Sequence, residues 1–451
     1  LGRLKRLRTY PEKHYGYVYI YLMKKEKKLM YRQKRHLHLL VFSLFLLLCT
    51  GCASQQIAPN ESPFAQQNSQ NSQNGLQSSC PAQGKAQAAK MPDLKLGNEQ
   101  MLIYSVNEGT LDADAPKSSA LKRHDTSSGK STEIVKFPGG YIEEAQVSSD
   151  GKWILFTEQL PSHQVALLLI RVDGRNLQLL YCSPGENSTL NNVRWSPDQK
   201  LIVFSESDAK SQGAVKLLKI ASGEVSLLLQ APPMGEYGAV PIDWIDNNNL
   251  YMTGILFNSD APRKNLYRLE LARGMNQEMK KDLFLMADVS GGFDFDKSEY
   301  DTKLFIKEGD RENVEKGPSV ITSQAALGGP RTQVYKSNTL NVRTLRAISN
   351  LHLLMVIDDA QGGTSGVWLM HTSGTDLQRL IDVKAGETAS LNPTSQYVWS
   401  DMSRDGNMYS VKIGKPDDQT LFTGFISGGS LLTVEQVTGV NDINAVGWTK
   451  M

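Results

Sequence analysis

The residues of this 451-residue chain that could do chemistry are few, and the first is a cysteine. Cys52 follows Thr50 and Gly51 at the end of an apolar run and precedes Ala53 and Ser54. Its thiolate is a strong nucleophile, and the small residues before it let a peptidase approach the backbone. Elsewhere the usual catalytic groupings are missing. No G-x-S-x-G elbow supplies a serine, and no H-E-x-x-H supplies metal ligands. Gly129-Lys130-Ser131 ends like a phosphate loop, but the required first glycine is His124. Asp294, Asp296 and Asp301 could open a calcium loop, yet its sixth position is Glu299 rather than Gly and its twelfth is Phe305. The histidines beyond the apolar run (His124, His163, His352 and His371) are scattered. No catalytic residue, metal ligand or cofactor is expected.

Two loops offer binding groups instead. The stretch 308–316, with Asp310 and Arg311, is a charged insertion; the stretch 358–365, with Asp358 and Asp359, is acidic and glycine-rich. Loops on a rigid β scaffold commonly carry binding groups, which makes these four residues candidates, with solvated surface as the alternative.

Charge is unevenly distributed. The chain has 49 Lys+Arg against 47 Asp+Glu, but twelve of the basic residues and two of the acids fall in residues 1–40. The run LLVFSLFLLLC at 39–49 follows, too short for a membrane-spanning helix. A basic segment, a short apolar run and small residues form the order of a secretory signal. Met30 opens a complete short signal, so residues 1–29 read as an over-extended start and 30–51 as the signal peptide. From residue 41 onward 37 Lys+Arg face 45 Asp+Glu. That mildly acidic balance argues against a nucleic-acid partner.

The segment Cys49-Thr50-Gly51-Cys52-Ala53-Ser54 resembles a bacterial lipobox, with Cys49 in place of the usual aliphatic residue. The resemblance implies lipidation of Cys52 followed by cleavage between Gly51 and Cys52, and two acyl chains at ~0.8 kcal/mol per buried methylene hold a protein on a membrane. The expected location is the outer face of the cytoplasmic membrane or another envelope membrane. Residues 52–96, including QQNSQNSQNGLQSS, have the composition of a flexible tether. Cys80 lies in it and Cys182 beyond it. Export permits a disulfide between them, with a free thiol and a buried small apolar residue as the alternative.

Positions 97–451 show short apolar or alternating runs broken by Gly, Asp, Asn and Pro, the pattern of an all-β domain. The unit repeats. VSSDGKWILF at 147–156 matches WSPDQKLIVF at 195–204, and hairpins recur at 121–135, 167–180, 217–229 and 367–381. Asp150, Gly151, Asp198, Asp405 and Gly406 mark repeat turns, whose aspartates are expected to accept hydrogen bonds from their own backbones.

This pattern resembles the WD40-like repeat of TolB-type β-propellers. The resemblance implies a single propeller of about seven four-stranded blades. The last residues, NAVGWTKM, read as the first strand of a repeat, and the segment at 97–106 as a repeat lacking that strand. Joining them closes the ring. The functional expectation is a non-enzymatic, membrane-anchored lipoprotein that binds or scaffolds an envelope protein. Glycan or wall-fragment recognition, and less directly an enzyme, are the alternatives.

Overall fold

Aliphatic and β-branched runs between turn residues become strands throughout. The computed structural model describes residues 80–81, 85–109, 118–185, 188–207, 214–230, 237–256, 264–278, 282–289, 293–297, 302–309, 319–359, 365–392 and 401–451. The chain divides into two units, 1–69 and 70–451, and all described residues belong to the second. Gly51, Cys52, the signal segment, Asp310 and Arg311 lie outside the described residues.

The order of elements is β1 (Gln100–Glu108), β2 (Ser118–Asp125) and β3 (Lys130–Pro138), then β4 (Tyr141–Val147), β5 (Trp153–Gln159), β6 (Val165–Arg171) and β7 (Gln178–Cys182). Next come β8 (Thr189–Trp195), β9 (Leu201–Ser207), β10 (Ala214–Lys219) and β11 (Glu224–Gln230). They are followed by β12 (Tyr237–Asp246), β13 (Asn249–Leu256), β14 (Lys264–Glu270), β15 (Gln277–Glu278) and β16 (Phe284–Val289). The fifth group is β17 (Phe293–Lys297), β18 (Lys303–Glu308), β19 (Val320–Ala325) and β20 (Thr332–Lys336). The chain ends with β21 (Leu340–Ala347), β22 (His352–Asp359), β23 (Gly366–His371) and β24 (Gln378–Asp382), then β25 (Thr388–Ser390), β26 (Met408–Lys415), β27 (Asp418–Phe425), β28 (Leu432–Thr438) and β29 (Asp442–Lys450).

These strands form seven sheets, antiparallel except for one short β11–β15 pair, and they are the blades of a β-propeller. Blade 1 is β29-β1-β2-β3, so the C-terminal strand supplies its first position. The β1–β29 ladder runs from Gln100↔Lys450 to Asn107↔Asp442. Blade 2 is β4–β7, blade 5 is β17–β20, blade 6 is β21–β24 and blade 7 is β25–β28. Blade 4 is β12-β13-β14-β16, because β15 leaves it to pair in parallel with β11 as a fifth strand of blade 3.

The position of a strand within its blade explains its composition. Middle strands are covered on both faces by neighbouring blades, so β6 (VALLLIR) is almost wholly apolar and buried. Outermost strands meet water, and β3 exposes Lys130, Ser131, Thr132 and Glu133. The core lies between blades. Trp153 and Trp195 join blades 2 and 3, Trp244 joins 3 and 4, and Trp448 joins 7 and 1. Polar links add to it: Tyr104 and Lys122 of blade 1 both donate to Glu435 of blade 7, each at 2.6 Å.

Residues 85–96, which the composition assigns to the tether, lie against this body. Gln87 N donates to Leu180 O at 2.8 Å and Ala89 N to Ile220 O at 2.9 Å. Lys90 N donates to Gln178 Oε1 at 2.7 Å, and Gln178 Nε2 returns a bond to Lys90 O at 2.8 Å. Ala86, Ala89 and Met91 pack on the core of blades 2 and 3, and Leu94 and Leu96 on that of blades 1 and 2. These few apolar side chains give the segment something to bury. Cys80 is disulfide-bonded to Cys182, with Cα atoms 5.7 Å apart.

Candidate functional site

The repeat turns use their aspartates internally. Ser148 Oγ donates to Asp150 Oδ1 at 2.6 Å, and Lys152 N donates to the same oxygen at 3.1 Å. Ser196 and Lys200 N do likewise with Asp198, as Ser403 and Asn407 N do with Asp405. Burial acts to raise the Asp198 and Asp405 carboxyls, but the hydroxyl and backbone donors outweigh it and hold both below the ordinary value. Gly151 and Gly406 take positive φ (77° and 73°), as these turns require.

A residue that the repeat pattern does not single out ties the ring together. Arg404, in the blade 7 turn, donates to Trp448 O at 3.0 Å, to Ser149 O at 2.6 Å and to Ser148 O at 3.0 Å. It thus spans blades 7, 1 and 2. Burial lowers its guanidinium to about 10, despite nearby Asp150. The sequence signal was an arginine in the slot filled by Ser149 and Pro197 in the two closest repeats.

The innermost strands carry charged groups. In blade 5, Asp294 accepts from Leu345 N at 2.8 Å and Arg346 Nη1 at 3.0 Å, and Asp296 accepts from Ala347 N at 2.7 Å. Arg346 also donates to Asn392 O at 2.8 Å, and its Nε lies 3.6 Å from Asp401. Burial raises Asp296 to about 7, partly offset by Arg346 and the Ala347 amide. The acids that could have opened a calcium loop therefore join blade 5 to blade 6; Asp301 lies outside the described residues. No cluster of three or more His, Cys, Asp or Glu suited to a metal occurs among the described residues.

The candidate loop residues separate. Asp358 pairs with Arg343 Nε at 2.6 Å within blade 6, and the backbone of Asp359 pairs with Leu340. Between blades 6 and 7 lies a cleft of about 540 Å³, lined by His352, Leu369, Asp405, Asn407, Phe425 and Ser427 among others. His352 faces His371 across two strands, ring centroids 6.1 Å apart, and burial with the second ring keeps it below the ordinary histidine value.

The largest departure from the repeat is at the outer edge of blade 4. The connection that detours through β15 returns as edge strand β16, whose Phe284 and Leu285 are 36% and 58% exposed. Strand alternation sends them to opposite sides. Arg268 and Arg273 lie over the Phe284 ring, at 4.7 and 4.2 Å from its centroid. Arg268 also donates to the carbonyl of Leu327, itself 48% exposed. Sequence reading missed this group. Its one signal was the long stretch between NLYRLE and FLMADV, where other repeats have a tight turn.

Comparisons fit this geometry at the level of fold. No protein-family model and no curated protein matches the chain. Among solved structures it is similar to a prolyl endopeptidase, at 12% identity and a TM-score of 0.52, over 76% of this chain and 50% of that one. The shared architecture is a β-propeller. The chain spans about half the length of that peptidase. It also aligns with TolB from Acinetobacter baumannii (13% identity, 76% of this chain and 82% of that one, TM-score 0.41). An oligogalacturonate lyase in complex with manganese aligns at 11% identity, over 76% and 86%, with a TM-score of 0.47.

Proposed function

We propose that this chain is a lipid-anchored, exported protein whose propeller binds or scaffolds a protein of the cell envelope. Lipidation at Cys52 holds it at a membrane, and binding rather than turnover is its role. The observation that carries the reading is the edge of blade 4. Exposed Phe284, Leu285 and Leu327, with Arg268 and Arg273, have the aromatic, aliphatic and arginine composition of a protein interface centre. An apolar strand edge open to solvent is otherwise a liability that proteins guard with charge or cover. The TolB-type repeat motif agrees with a protein-binding role.

The test is crosslinking of the tagged, lipidated protein in intact cells, with Leu285→Asp as control. Capture of a protein by the wild type, lost in the variant at unchanged melting temperature, is the expected result. Recovery of glycans alone would overturn the reading. The blade 6–7 cleft favours that second reading, since Phe425 stands 42% exposed among Asp405, Asn407 and His352. Glycan binding lost on Phe425→Ala would establish it.

A further inference from the structure

The disulfide joins the propeller to the segment that leads in from the N-terminal side, and the ring is closed elsewhere. Closure rests on the β1–β29 ladder, on Trp448 and on Arg404, and the disulfide is no part of those bonds. What the bond constrains is the strap at 85–96. The named bonds at Gln87, Ala89, Lys90 and Gln178 are sparse beside the ladder of an edge strand. The Asp93–Lys152 ion pair is exposed and weak. Yet the seat is shaped for the strap. Gly223, at φ 69°, has the strap backbone of Ala86, Gln87 and Ala88 against it, and a Cβ there would come within 2.8 Å. Of the two cysteines, Cys182 is buried while Cys80 is partly exposed.

We propose that the Cys80–Cys182 bond is a redox latch on this strap, opened by a dithiol reductant while the propeller stays closed. A thiolate of the dithiol attacks the sulfur of Cys80, the less buried of the two residues, and displaces Cys182 as a thiolate, which takes up a proton. The second thiol of the reductant then attacks the mixed disulfide and releases Cys80. Two electrons pass to the protein, which gains two thiols, and the dithiol leaves as a disulfide. With the strap released, the next hold on the described chain is the reciprocal bonding of Glu99 and Met451. The first described attachment to the propeller moves from residue 80 to residue 99, up to about 60 Å of extended chain. On the proposed anchor at Cys52, that length sets how far the propeller reaches from the membrane.

The strap carries its own reporters, since Lys85, Lys90 and Lys95 are trypsin sites. The test is trypsin digestion of the full chain, oxidised, reduced by a dithiol, and as Cys80→Ser, with cleavage mapped by mass spectrometry. Cleavage after Lys90 and Lys95 is expected to be roughly tenfold or more faster in the reduced protein and in the variant, because local opening rather than global unfolding then limits it. The fragment from 96 onward is expected to keep its circular dichroism. Equal cleavage rates in all three samples would overturn the latch, as would loss of propeller structure on reduction. The readout is independent of the anchor and of any partner.

Discussion

Arg194 of blade 3 and Arg346 of blade 6 hold matching positions three blades apart on innermost strands, and each clamps the blades on either side. Arg194 pairs with Glu144 of blade 2 at 3.3 Å and donates to Ile242 O of blade 4. Arg346 pairs with Asp294 of blade 5 at 3.0 Å and donates to Asn392 O of blade 7 at 2.8 Å. Glu144 and Asp294 also cap amides of the following blade, at Val193 and Leu345.

Removing the Arg346 side chain leaves Asp294, Asp296 and Asp401 without their shared cation. Arg346→Ala is expected to cost about 3–5 kcal/mol in urea denaturation. Arg346→Lys keeps the charge but loses the fork that reaches both neighbours, so an intermediate loss is expected. A loss below about 1 kcal/mol for the alanine variant would remove this clamp from the account of ring stability.

The closing strand makes a second prediction. Deleting residues 442–451 strips β1 of its ladder and opens the core around Trp448. Loss of cooperative thermal unfolding is expected, and Trp448→Ala alone is expected to cost about 3–5 kcal/mol. An unchanged melting curve for the deletion would contradict closure by β29.

Glu158 predicts a pH dependence. It is 2% exposed, and its Oε2 has no hydrogen-bond partner among the described residues. Burial raises it to about 8 from an ordinary 4.5. The folded protein therefore holds a proton that the unfolded chain has lost between those values. The stability contributed by this group is complete below pH 4.5 and falls as pH rises through 8, on the order of a few kcal/mol. Glu143, raised to about 7 by burial and by Glu144, adds in the same sense. Melting temperatures measured from pH 5 to 9 are expected to fall with pH, and Glu158→Gln is expected to flatten that fall. Equal slopes in the two proteins would show that Glu158 is not the cause.

Much of the architecture was legible in the chain. The S-x-D turns and the hairpins after them depend on neighbours in sequence, so Asp150, Asp198 and Asp405 declare their turns wherever they occur. The strand at 444–451 was legible for a related reason, because NAVGWTK matches the first strand of a repeat, and in the structure it pairs with β1. The degenerate fifth blade was less so. Its FDFDK strand looks like a failed copy until Arg346, some fifty residues on, is placed beside Asp294.

Local chemistry thus determined the class of fold, the blade spacing and the turn residues, because turns and strand burial are set within a few residues. The tertiary structure decided what happens between blades: the reach of Arg404 across the closure, the charge clamps of the inner strands, the docking of residues 85–96 and the pairing of Cys80 with Cys182. It also decided that β15 would cover blade 3 and leave Phe284 and Leu285 on an open edge. Those contacts join residues that are tens to hundreds of positions apart, and neither composition nor period encodes them.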